Sequence, residues 1–270
     1  MDNPRLATVR SWRRLRDEPF GAPDLAEDLH EASKFYESTM SRQVHTARVY
    51  ADSDLVGSAA TGVRQMAGLP YLELPDETTN VQPCALVREP SAHRFRDRRV
   101  DTATLGRLMW LSYGQYSDTH PVGEGQHHVN RRPVASAGSL YPLELYILAS
   151  GQTKRLYHYD PRRHVLEILH DDVAPQRLMV PHAATETASA VVLIMGMFQR
   201  SRFKYGLRGY RFVLMEAGAV IHQLQLAAQA LGLVSRPYAG VYDDVVEEMV
   251  GCDGVDESFI NAVLIGHRDG

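Results

Sequence analysis

Cysteine is scarce. Only Cys84 and Cys252 occur in 270 residues, far apart and in no Cys-x-x-Cys pair, so neither a disulfide framework nor a zinc ribbon is implied. Two thiols of this kind fit a reducing, cytoplasmic setting. Positive charge is also in short supply: 29 Lys and Arg stand against 33 Asp and Glu, a net charge of −4. That leaves no basic face for nucleic acid. No apolar run is long enough for a bilayer, and the stretch MDNPRLATVRSWRRLRDEPF has no apolar signal core, so a membrane span is not expected. Gly-x-Gly-x-x-Gly after a strand, a Walker loop, Gly-x-Ser-x-Gly and His-Glu-x-x-His are all missing. Their absence argues against a dinucleotide-binding domain, a nucleotide hydrolase, an α/β-hydrolase and a zinc protease. His120, His127 and His128 are the only candidates for a metal cluster. Their spacing matches no ligand motif, so Ser117 to Arg132 reads as a loop with no metal.

What is present is a core-forming composition, 44% hydrophobic, enough for one large domain or two small ones. Residues 1 to about 45 are polar and helix-prone and read as an arm. Asp52 to about Pro90 is rich in turn residues and prolines toward its end and reads as an extended connection. Thr102 to Leu111 has helical apolar spacing behind a threonine N-cap candidate. Leu143–Leu148 reads as a strand. Arg155–Asp160 and Val165–Leu169 read as two more, joined by a reversal at Pro161–His164. The run Ala190–Gly196 is apolar throughout, as in a strand buried on both faces, and Ser258–Ile265 reads as a further strand. A few buried strands flanked by long helices make the class α+β.

The stretch Ser201–Leu233 sets a charged, aromatic segment against the longest apolar helix pattern. From about Arg211 the helix has no broad polar face, which predicts burial all round, in the core or at a subunit interface. Gly218 inside it suggests close approach of another backbone or a flat ligand. Gly232 follows the last periodic residues as a helix stop. Before the helix, Phe203–Arg211 holds Lys204, Tyr205, Gly206, Arg208, Gly209 and Tyr210, and composition alone fits a solvated loop capping a helix.

Four ordered segments carry a resemblance: Pro133–Tyr146 (PVASAGSLYPLELY), Leu156–Pro161 (LYHYDP), Lys204–Arg211 (KYGLRGYR) and Ala230–Leu233 (ALGL). Together they resemble the azoline-dehydrogenase branch of the flavin nitroreductase superfamily, over roughly residues 88 to 270. Residues 1–87 would form an arm and connecting segment before that domain, resembling the family only loosely through Asp28–Lys34. The resemblance implies a homodimer with a mostly antiparallel sheet and FMN at the subunit interface. It implies FMN-dependent oxidation of thiazoline or oxazoline rings to azoles in a peptide natural product. The substrate would be leader-peptide or carrier-protein bound, and a cyclodehydratase complex is a possible partner. The readings beside it are a nicotinamide-dependent nitro or quinone reductase of the same fold, and a non-catalytic scaffold partner.

By the same resemblance, Ser91, His93 and Arg94 fall at the phosphate end of the cofactor, with Arg268 of the Gly266-His267-Arg268 motif. Glu89 departs from the family there, standing where arginine is common. Ser136, Gly138 and Ser139 belong to a loop beside the isoalloxazine, where small residues let backbone approach a flat ring. Tyr238, Ala239 and Gly240 lie where a backbone N–H meets flavin N5. Lys204 and Tyr205 match the pair that removes the ring proton. A lysine serves as a base when burial or a neighbouring cation depresses its pKa, and Arg208 or Arg211 is the cation expected from the sequence.

Overall fold

The computed structural model describes residues 57, 66–74, 88–116, 119–121, 128–150, 154–254 and 256–269. The arm over residues 1–45, Cys84 and His127 lie outside them. The chain runs β1 (Tyr71–Glu73), β2 (Phe95–Arg96), α1 (Thr102–Tyr113), β3 (Thr119–Pro121), β4 (His128–Asn130), β5 (Leu143–Ser150), β6 (Lys154–Asp160) and β7 (Val165–His170). It continues through α2 (Ala183–Thr187), β8 (Ala190–Met197), α3 (Gln199–Tyr205), α4 (Leu207–Ala230), β9 (Val234–Tyr238), α5 (Asp243–Val250) and β10 (Glu257–Arg268).

All eight residues of β8 are buried, as a continuous apolar run requires when both sheet faces are covered. It lies between β5 and β10 in a sheet ordered β1-β7-β6-β5-β8-β10-β2, with β9 also paired to β10. Every strand pair in that sheet is antiparallel. The expected strands are all present, and β6 and β7 pair across the reversal at residues 161–164. Within the stretch expected to be a loop-like connection, Tyr71–Glu73 instead forms a strand on β7. Three residues between turns are too few to show a period in the sequence. Residues 119–121 and 128–130, expected to lie in a loop, form a small antiparallel ribbon of their own.

One apolar cluster joins one sheet face to α1 and α4 through Leu108, Met109, Val213, Val220 and Leu224. A second covers the opposite face through Leu178, Ala184, Val246 and Val250. Helix α1 is capped by Asp101, whose carboxylate accepts from Thr104 N at 2.7 Å. The cap is therefore one residue before the expected threonine, and a carboxylate there also favours the positive end of the helix.

The long helix starts at Leu207, four residues before the sequence suggested. Gly206, with φ +59° and ψ −142°, takes a backbone conformation that side chains disfavour and breaks the chain between α3 and α4. At the far end Gly232 has φ +71°, and Leu233 N donates to Ala228 O at 2.8 Å, closing the helix as a C-terminal glycine should. Within one chain the helix is buried on one face only. Val213, Ala217, Val220, Leu224 and Ala227 face the sheet, but Met215 is 70% and Leu214 41% exposed, with Gly218 and Ala219 beside them at the surface. Among the described residues nothing lies within 4 Å of a Cβ placed on Gly218, so no close approach there explains that glycine. Periodicity cannot tell an apolar face covered by the chain's own sheet from one left at the surface. Among the described residues, no helix is long and apolar enough to cross a membrane.

Candidate functional site

The turn before β5 holds three residues with positive φ in close succession. Gly138, Ser139 and Tyr141 have φ of +63°, +55° and +45°. For the two residues with side chains this costs on the order of 1–3 kcal/mol each, a strain that persists only where surroundings enforce it. Here they do. Ser139 N donates to Ser136 O at 3.1 Å and Tyr141 N to the Ser136 hydroxyl at 2.8 Å. The Tyr141 hydroxyl accepts from Arg132 N at 3.0 Å, and Arg200 Nη1 donates to Tyr141 O at 3.2 Å.

Lys204 and Tyr205 press against this turn. A Cβ added to Gly138 would lie 2.6 Å from Lys204 Nζ and 2.6 Å from Tyr205 Oη, so amine and phenol converge where a side chain would otherwise stand. Only glycine satisfies both that contact and the positive φ. The solvated-loop expectation for this stretch is overturned. Lys204 sits in the last turn of α3 and is only 1% exposed, because α3 folds back from the end of β8. Arg208 packs toward the Phe212 ring at 5.8 Å. Arg200, one helical turn before Lys204, also reaches the turn, through Tyr141 O, and the sequence reading did not single it out.

Arg200 opens a buried row of charge. Its Nη2 is 2.7 Å from Glu144 Oε1, Glu144 Oε2 is 3.0 Å from His158 Nε2, and His158 Nδ1 is 2.9 Å from Glu167 Oε2. Arg163 Nη1 completes it, donating to Glu167 Oε1 at 3.0 Å. Burial pushes the Glu144 carboxyl up, but Arg200 and His158 outweigh it and hold it at about 2. Burial likewise pushes His158 down, and hydrogen bonds to Glu144 and Glu167 raise it to about 9. The row therefore alternates in sign, as buried charge must if it is to persist.

Ser91, His93, Arg94 and Arg268 gather at the far end of β10, whereas Tyr238 pairs with Ala262 in the middle of that strand, with Ala239 and Gly240 following it. Arg268 pairs with Phe95 in the β10–β2 ladder, which brings the Gly266-x-Arg268 motif beside Ser91, His93 and Arg94. Its guanidinium hydrogen-bonds the Glu89 carboxylate, so the residue that departs from the family engages the proposed phosphate arginine. Arg94 lies 3.8 Å from the exposed Asp269 carboxylate. Arg236, on β9, was missed by sequence reasoning because it sits inside a strand without a motif. It donates from Nη1 to Ala92 O at 3.2 Å, between Ser91 and His93, and its buried Nε has no hydrogen-bond partner among the described residues. Tyr238 donates its hydroxyl to Val180 O at 2.8 Å, and its ring lies so close to Gly240 that a Cβ there would meet Oη at 2.7 Å. Among the described residues no group of three His, Cys, Asp or Glu could hold a metal.

The two clusters lie at opposite ends of one strand. The β5 end of the turn aligns through Leu143 and Gly196 with Ser258, whereas Arg268 closes β10. At about 3.3 Å per residue the separation along the strand is roughly 30 Å.

The Nitroreductase family model matches residues 90–267. The microcin B17-processing protein McbC of Escherichia coli is 30% identical over 185 residues, covering 62% of this chain and 62% of McbC. The trifolitoxin-processing protein TfxB of Rhizobium leguminosarum bv. trifolii is 27% identical over 182 residues, covering 63% of this chain and 47% of TfxB. The chain thus spans less than two thirds of either relative. A chain of the solved E. coli microcin synthetase McbBCD complex with truncated pro-MccB17 bound aligns with a TM-score of 0.58 at 20% identity, over 88% of this chain and 99% of that one. That likeness is one of fold.

Proposed function

We propose that this chain, which belongs to the nitroreductase family, is an FMN-dependent azoline dehydrogenase that oxidises thiazoline or oxazoline rings of a peptide to azoles. The observation that carries the reading is the convergence of a buried amine and a phenol on the backbone of a strained, small-residue turn. The similarity to two peptide-processing proteins favours this over reduction of free nitro compounds or quinones.

The residues present fit the cofactor. The small residues Ser136 and Ser139 flank the point where the Lys204 amine and Tyr205 phenol meet Gly138, a polar edge that suits a flavin ring, and the unpaired buried Nε of Arg236 is a donor beside Ser91 and His93 that suits a phosphate. Ser91, His93, Arg94, Arg236 and Arg268 would hold the phosphate end, with Arg268 exchanging Glu89 for it. Ser136, Gly138 and Ser139 would line the ring, and Tyr238, Ala239 and Gly240 would present backbone to it. FMN, when bound, supplies the hydride acceptor. Lys204 takes the proton from the ring carbon next to the carbonyl, and Tyr205 donates a hydrogen bond to the same region. Such base assistance contributes about 10²–10⁴-fold.

Two copies complete the site in this reading. Roughly 30 Å along β10 is too far for one flavin to touch both clusters of a single chain. The exposed stripe of Leu214, Met215, Gly218 and Ala219 lies near the middle of α4, which runs from the Lys204 end to the β9 end. A two-fold axis through that stripe would pack the helices antiparallel and bring the turn of one protomer beside the Arg236 cluster of its partner. Gly218, with open space around it among the described residues, would permit the close approach. The peptide would arrive from a cyclodehydratase in a complex of the kind solved for McbBCD, in a reducing cytoplasm.

The test is the purified protein with a peptide bearing preformed azolines. Wild type should be yellow with bound FMN and should remove two hydrogens per ring by mass. Lys204→Ala should stay yellow and lose about 10²–10⁴ in rate. A colourless dimer that refuses added FMN ends the proposal, and azole formation by Lys204→Ala at the wild-type rate ends the base assignment.

A further inference from the structure

Helix α3 meets the strained turn at two points. Arg200 and Lys204 stand four residues apart, on one face of the helix, and both touch the turn. Arg200 Nη1 donates to Tyr141 O at 3.2 Å, and Lys204 Nζ comes within 2.6 Å of the position a Gly138 Cβ would take. One turn of α3, about 5.4 Å along its axis, is thus matched to the three residues from Gly138 to Tyr141. Whatever fixes the first contact also fixes where the amine stands against the turn.

Arg200 is itself fixed from behind. Its other terminal nitrogen, Nη2, is 2.7 Å from Glu144 Oε1, and the arginine side chain is 16% exposed against 3% for the glutamate. Glu144 Oε2 is committed to His158 Nε2 at 3.0 Å, and His158 Nδ1 reaches Glu167 Oε2 at 2.9 Å. Glu144 is therefore held at both oxygens and gives the arginine a fixed post. A planar guanidinium suits the position because its two terminal nitrogens serve a carbonyl and a carboxylate at once. The next carbonyl is tied from the same side, since Met197 N at the end of β8 donates to Pro142 O at 2.7 Å. Between these ties Tyr141 keeps φ +45°, a conformation whose cost its surroundings must offset.

Resting on the proposed function, we propose that Arg200 is a positioning residue: anchored on Glu144, its guanidinium holds the Tyr141 carbonyl and so sets the turn against Lys204 and Tyr205. The competing role is that of a mere counter-ion for the buried Glu144 carboxylate. A charge-balanced pair of substitutions separates the two. Arg200→Met alone strands a buried carboxylate and should destabilise the fold, whereas Arg200→Met with Glu144→Gln removes both charges, leaves His158 paired with Glu167, and should unfold in urea close to wild type.

The experiment is amide hydrogen exchange of residues 136–142 in the cofactor-free full chain, beside turnover of the FMN-loaded enzyme on a peptide bearing azolines. In the folded double variant the Ser139 and Tyr141 amides should exchange about tenfold faster than in wild type, as loss of one charge-assisted hydrogen bond implies. Its kcat should fall about 10²-fold, the effect of a small misplacement of reacting groups, with KM and FMN content unchanged. Arg200→Lys keeps a charge beside Glu144 but has one nitrogen in place of a fork, and should fold like wild type with the same loosened turn. Wild-type exchange in the folded double variant overturns the proposal, and so does a wild-type kcat. Should that variant not fold, the same results in Arg200→Lys overturn it. Failure of the proposed function would show instead as wild type that leaves the azolines unoxidised, with the exchange pattern still deciding whether Arg200 holds the turn.

Discussion

At one end of β10 the polar groups are buried and paired before any ligand arrives: Arg200, Glu144 and His158 stand behind the turn, and Lys204 and Tyr205 lie in front of it. At the other end the arginines are exposed or loosely held, Arg268 by Glu89 and Arg94 by Asp269. The first end is built to fix geometry, which chemistry needs within fractions of an ångström. The second is built to trade one anion for another, which binding needs. The reading as a homodimer follows from their separation, since rigid chemistry on one protomer would serve a cofactor anchored on the other.

The sharpest way to break this pairing of ends is to block the α4 stripe. Met215→Glu should yield monomers by sedimentation and lose retained FMN altogether, although residue 215 lies outside both clusters. Next comes the rigid end. Glu144→Ala leaves Arg200 without its carboxylate and His158 short of one, and should cost about 3–5 kcal/mol in urea unfolding. The pH dependence has a definite sign. His158 is raised from 6.5 to about 9, so its contribution is complete below pH 6.5 and lost as pH rises through about 9. Glu144 is lowered from 4.5 to about 2, so its contribution is complete above pH 4.5 and lost as pH falls toward 2. The gap between wild type and Glu144→Ala should be widest between those limits and should narrow above about pH 9.

Smaller effects belong to the exchangeable end. Arg236→Gln should weaken FMN about tenfold, one charge-assisted hydrogen bond, while leaving riboflavin affinity unchanged by fluorescence titration. Arg268→Ala should weaken FMN less than that, since wild type must first give up the Glu89 pairing, and flavin content after gel filtration would report it.

The strands were readable because β5, β8 and β10 are apolar enough to declare themselves, and the turn was readable because its small residues and the Lys204-Tyr205 pair follow a known order. Their meeting at Gly138 confirms only that the structure brings them together. The buried charges were not readable. Glu144, His158 and Glu167 sit in ordinary strand sequences, and their partnership exists only once the ladders place His158 opposite Glu167 on one side and opposite Tyr146 of β5 on the other. Arg200 and Arg236 were hidden similarly, because neither lies in a motif and each acquires its role from a segment distant in the chain. The buried character of Lys204 was misread since charge in a short stretch with two glycines ordinarily means solvent.

The β10–β2 pairing, His267 opposite Arg96, has a kinetic side as well. It joins segments separated by nearly the whole described domain, a closure whose entropy must be met before it is rewarded and which therefore tends to come late in folding. Ser91 and His93 meet Arg268 only after that closure. Uptake of flavin by a refolding chain should then trail the burial of β8, and the interval between the two would time the last step of assembly.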